Sequence, residues 1–521
     1  MSEQIGLGPT TTTMILRALS RFPDRTAFVW NGGSLSYTAV RDLIAGFQAA
    51  MIQAGVRKGD TVALLSANSA ETWCAGVAAQ ALGLVVTWLH PLGSLADHLA
   101  VIEDIEATVL IVDPKTHRQR GAELAAGAAG QLKLAFAMGP AEFGRDLVAA
   151  ARGTGAVSPV DHTDINAYAI VNYTGGTTGK SKGAIRRHHA LAASTQSIMA
   201  EFGLPDVPRY LAAAPITHVS GSFVLPSLSR GGTVHLLKGF DPEEFLATIA
   251  RERINVAMMV PTMIYVMLDN PKLASTDLSS LELLLYGASP MSPSRLVEGL
   301  ERIGPVFAQL YGQTECYPVS LLGRADHDAR RPELFASCGF PLASCAVSLL
   351  DEDNQPVRQG EAGEICVRAP QAMESYWKRP EQTAETFAGG WLHTGDIARA
   401  DERGYLYIVD RKKDMIVSGG FNIFPKEVED VLSSHPDVAM ASVIGVPHPK
   451  WGESVTAVVV AKAGTEPSAE SLIDLVKQRK GGTHAPKQVE FVDSLPLTAV
   501  GKVDKKALRA KYWAGQERQV G

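Results

Sequence analysis

Between Thr174 and Gly183 the chain reads Thr-Gly-Gly-Thr-Thr-Gly-Lys-Ser-Lys-Gly. Gly175, Gly176 and Gly179 let backbone N–H groups turn toward an anion with no Cβ in the way. Thr174, Thr177 and Thr178 add hydroxyl donors, and Lys180 and Lys182 add positive charge. Together these groups suit a polyphosphate. A P-loop requires GxxxxGK[ST]. Gly179-Lys180-Ser181 supplies its end, but Thr174 stands where its first glycine belongs, so that reading fails at one position. A flexible polar linker is the other reading. Linkers rarely follow directly on an apolar strand such as Tyr168–Tyr173 with so many donors.

The elements that must hold this loop are legible from apolar runs. Strands are predicted at Thr61–Leu65, Val85–Leu89, Thr108–Val112, Tyr168–Tyr173, Thr233–Leu237, Val256–Val260, Leu281–Tyr286 and Val306–Leu310. Helical patterns such as Ala70–Leu82, Pro242–Arg251 and Pro293–Ile303 fall between them. Continuous apolar strands alternating with helices predict an α/β fold with parallel, helix-covered sheets. After about Ser344 the pattern changes to short strands separated by polar turns, a smaller β-rich subdomain over about 345–410. A charged linker at Asp410–Lys413 precedes about 110 residues of α+β pattern, enough for a small independent domain. The expected division is therefore 1–410 and 411–521.

At 521 residues the chain exceeds what one core supports. Its 46% hydrophobic and 20% charged residues are ordinary for a globular protein. A formal charge of −6 gives no basic surface for nucleic acid. The five cysteines are odd in number and form no CxxC pair, which predicts neither disulfides nor zinc and fits a reducing cytoplasm. No signal-peptide pattern opens the chain, and the longest apolar run, Cys74–Leu89, is too short and too interrupted to be an integral membrane segment.

The loop resembles the phosphate-binding signature Thr-Ser-Gly-Thr-Thr-Gly-x-Pro-Lys-Gly of the adenylate-forming superfamily: acyl-CoA synthetases, luciferases and peptide-synthetase adenylation domains. Gly175 replaces the serine and Ser181 the proline. Further motifs occur in family order: Gly287-Ala288-Ser289-Pro290, Tyr311-Gly312-Gln313-Thr314-Glu315, Trp391-Leu-His-Thr-Gly-Asp396, Asp410 to Glu429, and Pro496 to Asp504. The resemblance implies an acyl-adenylate synthetase fold: a large N-terminal domain of two helix-covered sheets plus the β-rich subdomain, and a small mobile C-terminal domain. It implies that Gly287, Ala288 and Ser289 form the adenine-side turn and that Tyr311 lies against adenine. Thr314 then contacts the α-phosphate, Glu315 holds Mg²⁺, and Asp396 and Arg411 meet the ribose. Lys413 is implied as the hinge, Gly419, Gly420 and Phe421 as the lining of the pantetheine path, Lys502 as the catalytic lysine, and His218 as a gate beside the acid.

The activity implied by the resemblance is that of an ATP- and Mg²⁺-dependent carboxylate–CoA ligase working through acyl-AMP. A luciferase-like enzyme, or a catalytically silent adenylate-binding relative, is the alternative. The resemblance places the ammonium-binding aspartate of peptide-synthetase domains just after the region of Pro215–Gly221. No Asp or Glu occurs between Val207 and Phe240, which argues against an amino-acid substrate. Only about 20 residues follow Lys502, which predicts no carrier domain and points to free coenzyme A. The expected pocket draws on His218–Phe223, Val260, Tyr286–Ala288 and Cys316–Val319. With no cation apparent there to meet a second carboxylate, the expected substrate is an apolar monocarboxylic acid: medium-chain or branched fatty, alicyclic or aryl. The expected partners are that acid, ATP and coenzyme A, with a homodimer left open.

Overall fold

Successive strand residues face opposite ways, and the cores follow that alternation. In the strand Leu283–Gly287, Leu283 and Leu285 enter one cluster while Leu284 and Tyr286 enter another. In Thr61–Leu65, Val62 and Leu64 join the first cluster, and Ala63 and Leu65 a third. The strands are thus buried on both faces, which is why they read as continuous apolar runs. The computed structural model describes residues 8–174, 181–411, 414–418, 421–449, 451–498 and 502–513, with backbone only at 410, 411, 421 and 422.

A nine-stranded sheet and an eight-stranded sheet form the large part of the molecule. The helices Tyr37–Ala54, Ala70–Ala81 and His188–Glu201 lie between them in one shared core. Other helices cover the outer faces: Pro242–Glu252 and Pro293–Arg302 on one sheet, Leu95–Asp104 and Pro114–Gly127 on the other. Caps set the helix starts. Ser69 accepts from Thr72 N, and Asp241, before Pro242, accepts from Glu244 N. A four-stranded antiparallel sheet (Ala346–Leu350, Gly363–Arg368, Leu392–Ala400, Leu406–Arg411) comes next in the chain, and then a separate five-stranded sheet with its own core.

The large sheets are mixed rather than purely parallel. Gly183–Arg187 pairs antiparallel with Tyr168–Tyr173, and Cys316–Leu322 antiparallel with Phe307–Gln313. Both connections are short, and a parallel return needs a crossover of a dozen or more residues. Asp410 and Arg411, expected to begin a linker, are strand residues paired with Ile397 and Asp396. Among the described residues no helix is long and apolar enough to cross a membrane, and all five cysteines are free.

Burial holds five histidines far below the ordinary imidazole range: His90, His188, His235 and His327 at about 4, and His218 at about 3. Unfolded, each takes up a proton near pH 6.5. Between about pH 4 and 6.5 the unfolded chain therefore binds more protons. This contribution to stability is complete above pH 6.5 and is lost as pH falls, by up to about 1.4 kcal/mol per histidine per pH unit. Scanning calorimetry at pH 7, 6 and 5 should show a steadily falling unfolding midpoint. A flat midpoint over that range would contradict the buried, neutral state of these rings.

Candidate active site

The glycine-rich loop is closed at its base by the hairpin that carries it. Thr174 N donates to Lys182 O at 2.9 Å, and Lys182 N reaches Thr174 Oγ1 at 3.4 Å. The Ser181 hydroxyl donates to Thr174 O. A proline at 181 has no such donor, so the serine substitution adds a clamp at the loop's mouth. Gly175, Gly176, Thr177, Thr178 and Gly179 lie outside the described residues. Thr174, Ser181 and Lys182 line a cleft of about 2250 Å³.

Across that cleft, Phe307–Gln313 extends three residues past its expected end, so Tyr311, Gly312 and Gln313 are strand residues. Thr314 and Glu315 make the turn into Cys316–Leu322. The Tyr376 hydroxyl donates to Glu315 Oε1 at 2.6 Å, and Lys182 Nζ stands 4.9 Å from the centre of the Tyr376 ring. Burial, then the Glu315 charge, raise the Tyr376 pKa well above the ordinary phenol range, so it acts as a donor. Gly287 ends its strand where a Cβ would lie 2.6 Å from Leu310 O. Ala288 comes next at φ +68°, a left-handed conformation costing an L-residue about 1–2 kcal/mol, and lines the cleft with Ser289.

Asp396 sits on the cleft wall, 5% exposed, and accepts from the Tyr311 hydroxyl at 2.7 Å. Its turn is braced from beneath. Glu364 Oε1 accepts from Gly395 N at 2.8 Å, and Glu364 Oε2 meets His393 Nδ1 at 3.1 Å. Thr394 Oγ1 donates to Ile365 O and accepts from Asp396 N, while Gln313 Nε2 donates to Thr394 O. Glu364, Cys366 and His393 bring donor atoms within 4.8 Å of one another, a spacing a metal could use. Their hydrogen bonds are directed into the brace. Sequence reading missed Glu364; Gly363–Val367 was legible as a strand, but not as the neighbour of Gly395. Glu364→Ala should raise KM for ATP about tenfold, the worth of a charge-assisted hydrogen bond. Because Glu364 acts through the turn, kcat should change little, and steady-state kinetics would separate the two.

From the small sheet's side, Lys502 reaches the same cleft on a hairpin in which Thr498 N donates to Lys502 O at 2.7 Å and Leu497 bridges Val503. Asp504 caps the next helix, accepting from Ala507 N. Lys505 pairs with Glu429 at 2.8 Å and Arg509 with Asp414 at 2.8 Å. Lys413, Gly419 and Gly420 lie outside the described residues. Arg411 and Phe421 are strand residues of described backbone, Phe421 opposite Ser418.

The acid pocket differs from its expected lining. His218, Val219, Gly221, Ser222, Val260, Ala288 and Tyr317 line the cleft. Phe223, Tyr286, Cys316 and Val319 are instead core residues, each fully buried. Strand alternation turns Tyr286 outward, where its hydroxyl meets His327 Nε2 at 3.0 Å. Gly221 passes so close to Ile216 O that a Cβ would lie 1.8 Å away. His218 Nδ1 meets the Thr217 hydroxyl at 2.8 Å, and its ring packs edge-on to His90 with centroids 4.5 Å apart. Burial, with the neighbouring His90, keeps His218 neutral at pH 7. Arg186, a cation absent from the expected lining, also lines the cleft.

Comparison with known proteins agrees with this arrangement. The family model for AMP-binding enzymes matches residues 15–377, and that for the AMP-binding enzyme C-terminal domain matches 427–502. The chain is 43% identical to the medium/long-chain-fatty-acid–CoA ligase FadD8 of Mycobacterium tuberculosis, over 98% of this chain and 91% of that protein. It is 38% identical to a feruloyl-CoA synthase of an Amycolatopsis species, over 94% and 96%. The amide bond synthetase McbA of Marinactinospora thermotolerans superposes with a TM-score of 0.88 at 32% identity, covering 96% of this chain and all of that one. With two matched family models, one cleft holding their motif residues, and CoA ligases among its relatives, this chain belongs to the AMP-binding enzymes, as an AMP-forming acyl-CoA synthetase of the acid–thiol ligases.

Proposed function

We propose that the enzyme couples an apolar or aryl carboxylic acid to coenzyme A in two steps through an acyl-adenylate. The observation that carries this reading is the convergence of Thr174, Lys182, Glu315, Asp396 and Lys502 on one cleft. In the first step a carboxylate oxygen attacks the α-phosphorus of ATP, a P–O bond forms and pyrophosphate leaves. Thr174 and Lys182 bind phosphate oxygens, Thr314 the α-phosphate, and Asp396 the ribose hydroxyls. Lys502 offsets the charge that builds between carboxylate and α-phosphate, an electrostatic role aimed at the transition state.

Mg²⁺ fits Glu315. One oxygen of this carboxylate is held by Tyr376, and among the described residues the other has no protein partner. A hard ion that keeps phosphates and waters needs only one or two such ligands. Bound there, the ion would neutralise phosphate charge. Neutral His218 beside the acid orients the carboxylate without adding charge.

In the second step a thiolate attacks the anhydride carbonyl and AMP leaves. The chain through Arg411 acts as the adenylating unit and the part after it as a mobile domain turning about Lys413, which withdraws Lys502 and brings Gly419–Phe421 to the thiol's path. Pyrophosphate release measured over a panel of acids, with and without coenzyme A, tests the reading. Thioester should accumulate only with coenzyme A present, and a panel in which no acid drives ATP-dependent release would refute it.

A further inference from the structure

The strand Gly183–Arg187 follows the phosphate loop and is part of the eight-stranded sheet, paired with Tyr168–Tyr173 on one side and Ser375–Tyr376 on the other. Ile185 faces the outer cluster, while Ala184 packs with Tyr311 and Cys316. By the same alternation Arg186 and Arg187 part company. Arg187 lies toward the surface, paired with Glu374 at 2.9 Å. Arg186 is 8% exposed and faces inward.

A buried guanidinium ordinarily has a carboxylate partner. Arg186 has none within ion-pair distance among the described residues. Its Nη2 makes a long contact to Asn172 Oδ1 at 3.5 Å, and its Nε is buried with no hydrogen-bond partner. Burial holds its pKa below the ordinary guanidinium value, and Cys316, Glu315 and Tyr317 are the ionisable groups that face it. A buried donor left unmade is costly, and more so when charged. Such a cost is sustained where a ligand supplies the missing acceptor.

The surroundings describe that ligand. Arg186 stands three residues below Gly183, about 10 Å of extended strand, on the wall of the same cleft. Trp73 and Trp88 also line this cleft, and Trp88 fits only because position 76 is glycine: a Cβ there would lie 2.6 Å from the indole. The cleft thus offers flat apolar surface together with the Arg186 cation.

We infer that Arg186 is a specificity residue, binding an oxygen acceptor at the far end of the acid substrate, so that the preferred acids carry a distal hydroxyl or a second carboxylate. This rests on the ligase reading above and replaces the purely apolar acid expected from sequence. The two sources of that oxygen differ in skeleton, the hydroxyl on an aryl acid and the carboxylate on a chain diacid.

Matched pairs test it on the full-length enzyme: cinnamate against 4-hydroxycinnamate, and decanoate against decanedioate. Binding is read by calorimetry and turnover by pyrophosphate release. In at least one pair the oxygenated acid should be favoured about tenfold or more, as for a charged hydrogen bond. Arg186→Met should remove that preference while keeping activity on the oxygen-free partner, and Arg186→Lys should keep part of it. Equal binding within both pairs, no binding of any of the four acids, or equal losses on both members in Arg186→Met overturns the assignment. If Arg186→Met does not fold, the wild-type preference and its reduction in Arg186→Lys decide. Absence of pyrophosphate release from every acid tried would instead refute the ligase reading, while calorimetric preference would still judge Arg186.

Discussion

Replacing Lys502 by alanine is expected to lower the rate of adenylate formation by about 10²–10³-fold, the usual loss when one preorganised donor is removed from developing charge. Thioester formation from supplied acyl-AMP is largely kept. The asymmetry comes from where Lys502 sits. It reaches the cleft from the small sheet on the Thr498–Lys502 hairpin, whose backbone bond holds whatever the side chain. The alanine variant therefore keeps the fold of the hairpin and loses only the ammonium. Single-turnover pyrophosphate release and coenzyme A consumption from synthetic acyl-AMP measure the two halves. Equal loss in both would contradict a role confined to the first.

Glu315→Gln is expected to have the second large effect. The amide keeps an acceptor for the Tyr376 hydroxyl, so the turn between the paired strands is preserved. The change removes the negative charge that suits a hard cation. Metal-assisted charge neutralisation supplies several kcal/mol, and about 1.4 kcal/mol is tenfold in rate, so adenylation should fall by about 100-fold or more. Raising Mg²⁺ should recover part of the loss. Tyr376→Phe, which removes only the donor orienting Glu315, should weaken apparent Mg²⁺ affinity about tenfold. A Mg²⁺ titration of the three proteins checks the order. Identical Mg²⁺ dependence in all of them would remove Glu315 from the metal site.

Much of the framework was legible because burial writes itself into sequence simply. Thr61–Leu65 and Tyr168–Tyr173 are strands with the predicted bounds, and Ala70–Ala81 ends one residue early. These elements are mostly apolar, so no partner needs to be known to find them. Orientation was less legible. Tyr286 and Cys316 were expected in the pocket and lie in cores, because which face of a strand meets the cleft depends on the neighbouring sheet. The return strands Gly183–Arg187 and Cys316–Leu322 were not read as strands, so the antiparallel pairs that carry the loop and Glu315 went unseen. Arg186 shows what could have been found. Two consecutive arginines in a strand cannot both face solvent, and that signal was present at 186–187. Glu364 had no such signal, since its partners lie 29 and 31 residues away at His393 and Gly395.

The pairing of Arg411 with Asp396 bears on the order of events in catalysis. If the small domain turns about the segment after Arg411, the pivot lies beyond the last strand residue that belongs to the ribose site. Reorientation then carries Lys502 away and leaves the nucleotide's seat untouched. On the proposed two-step reading, a high-energy anhydride made in that seat would stay captive through the changeover, the enzyme would be committed to its acid once pyrophosphate had gone, and AMP would depart only with the finished thioester.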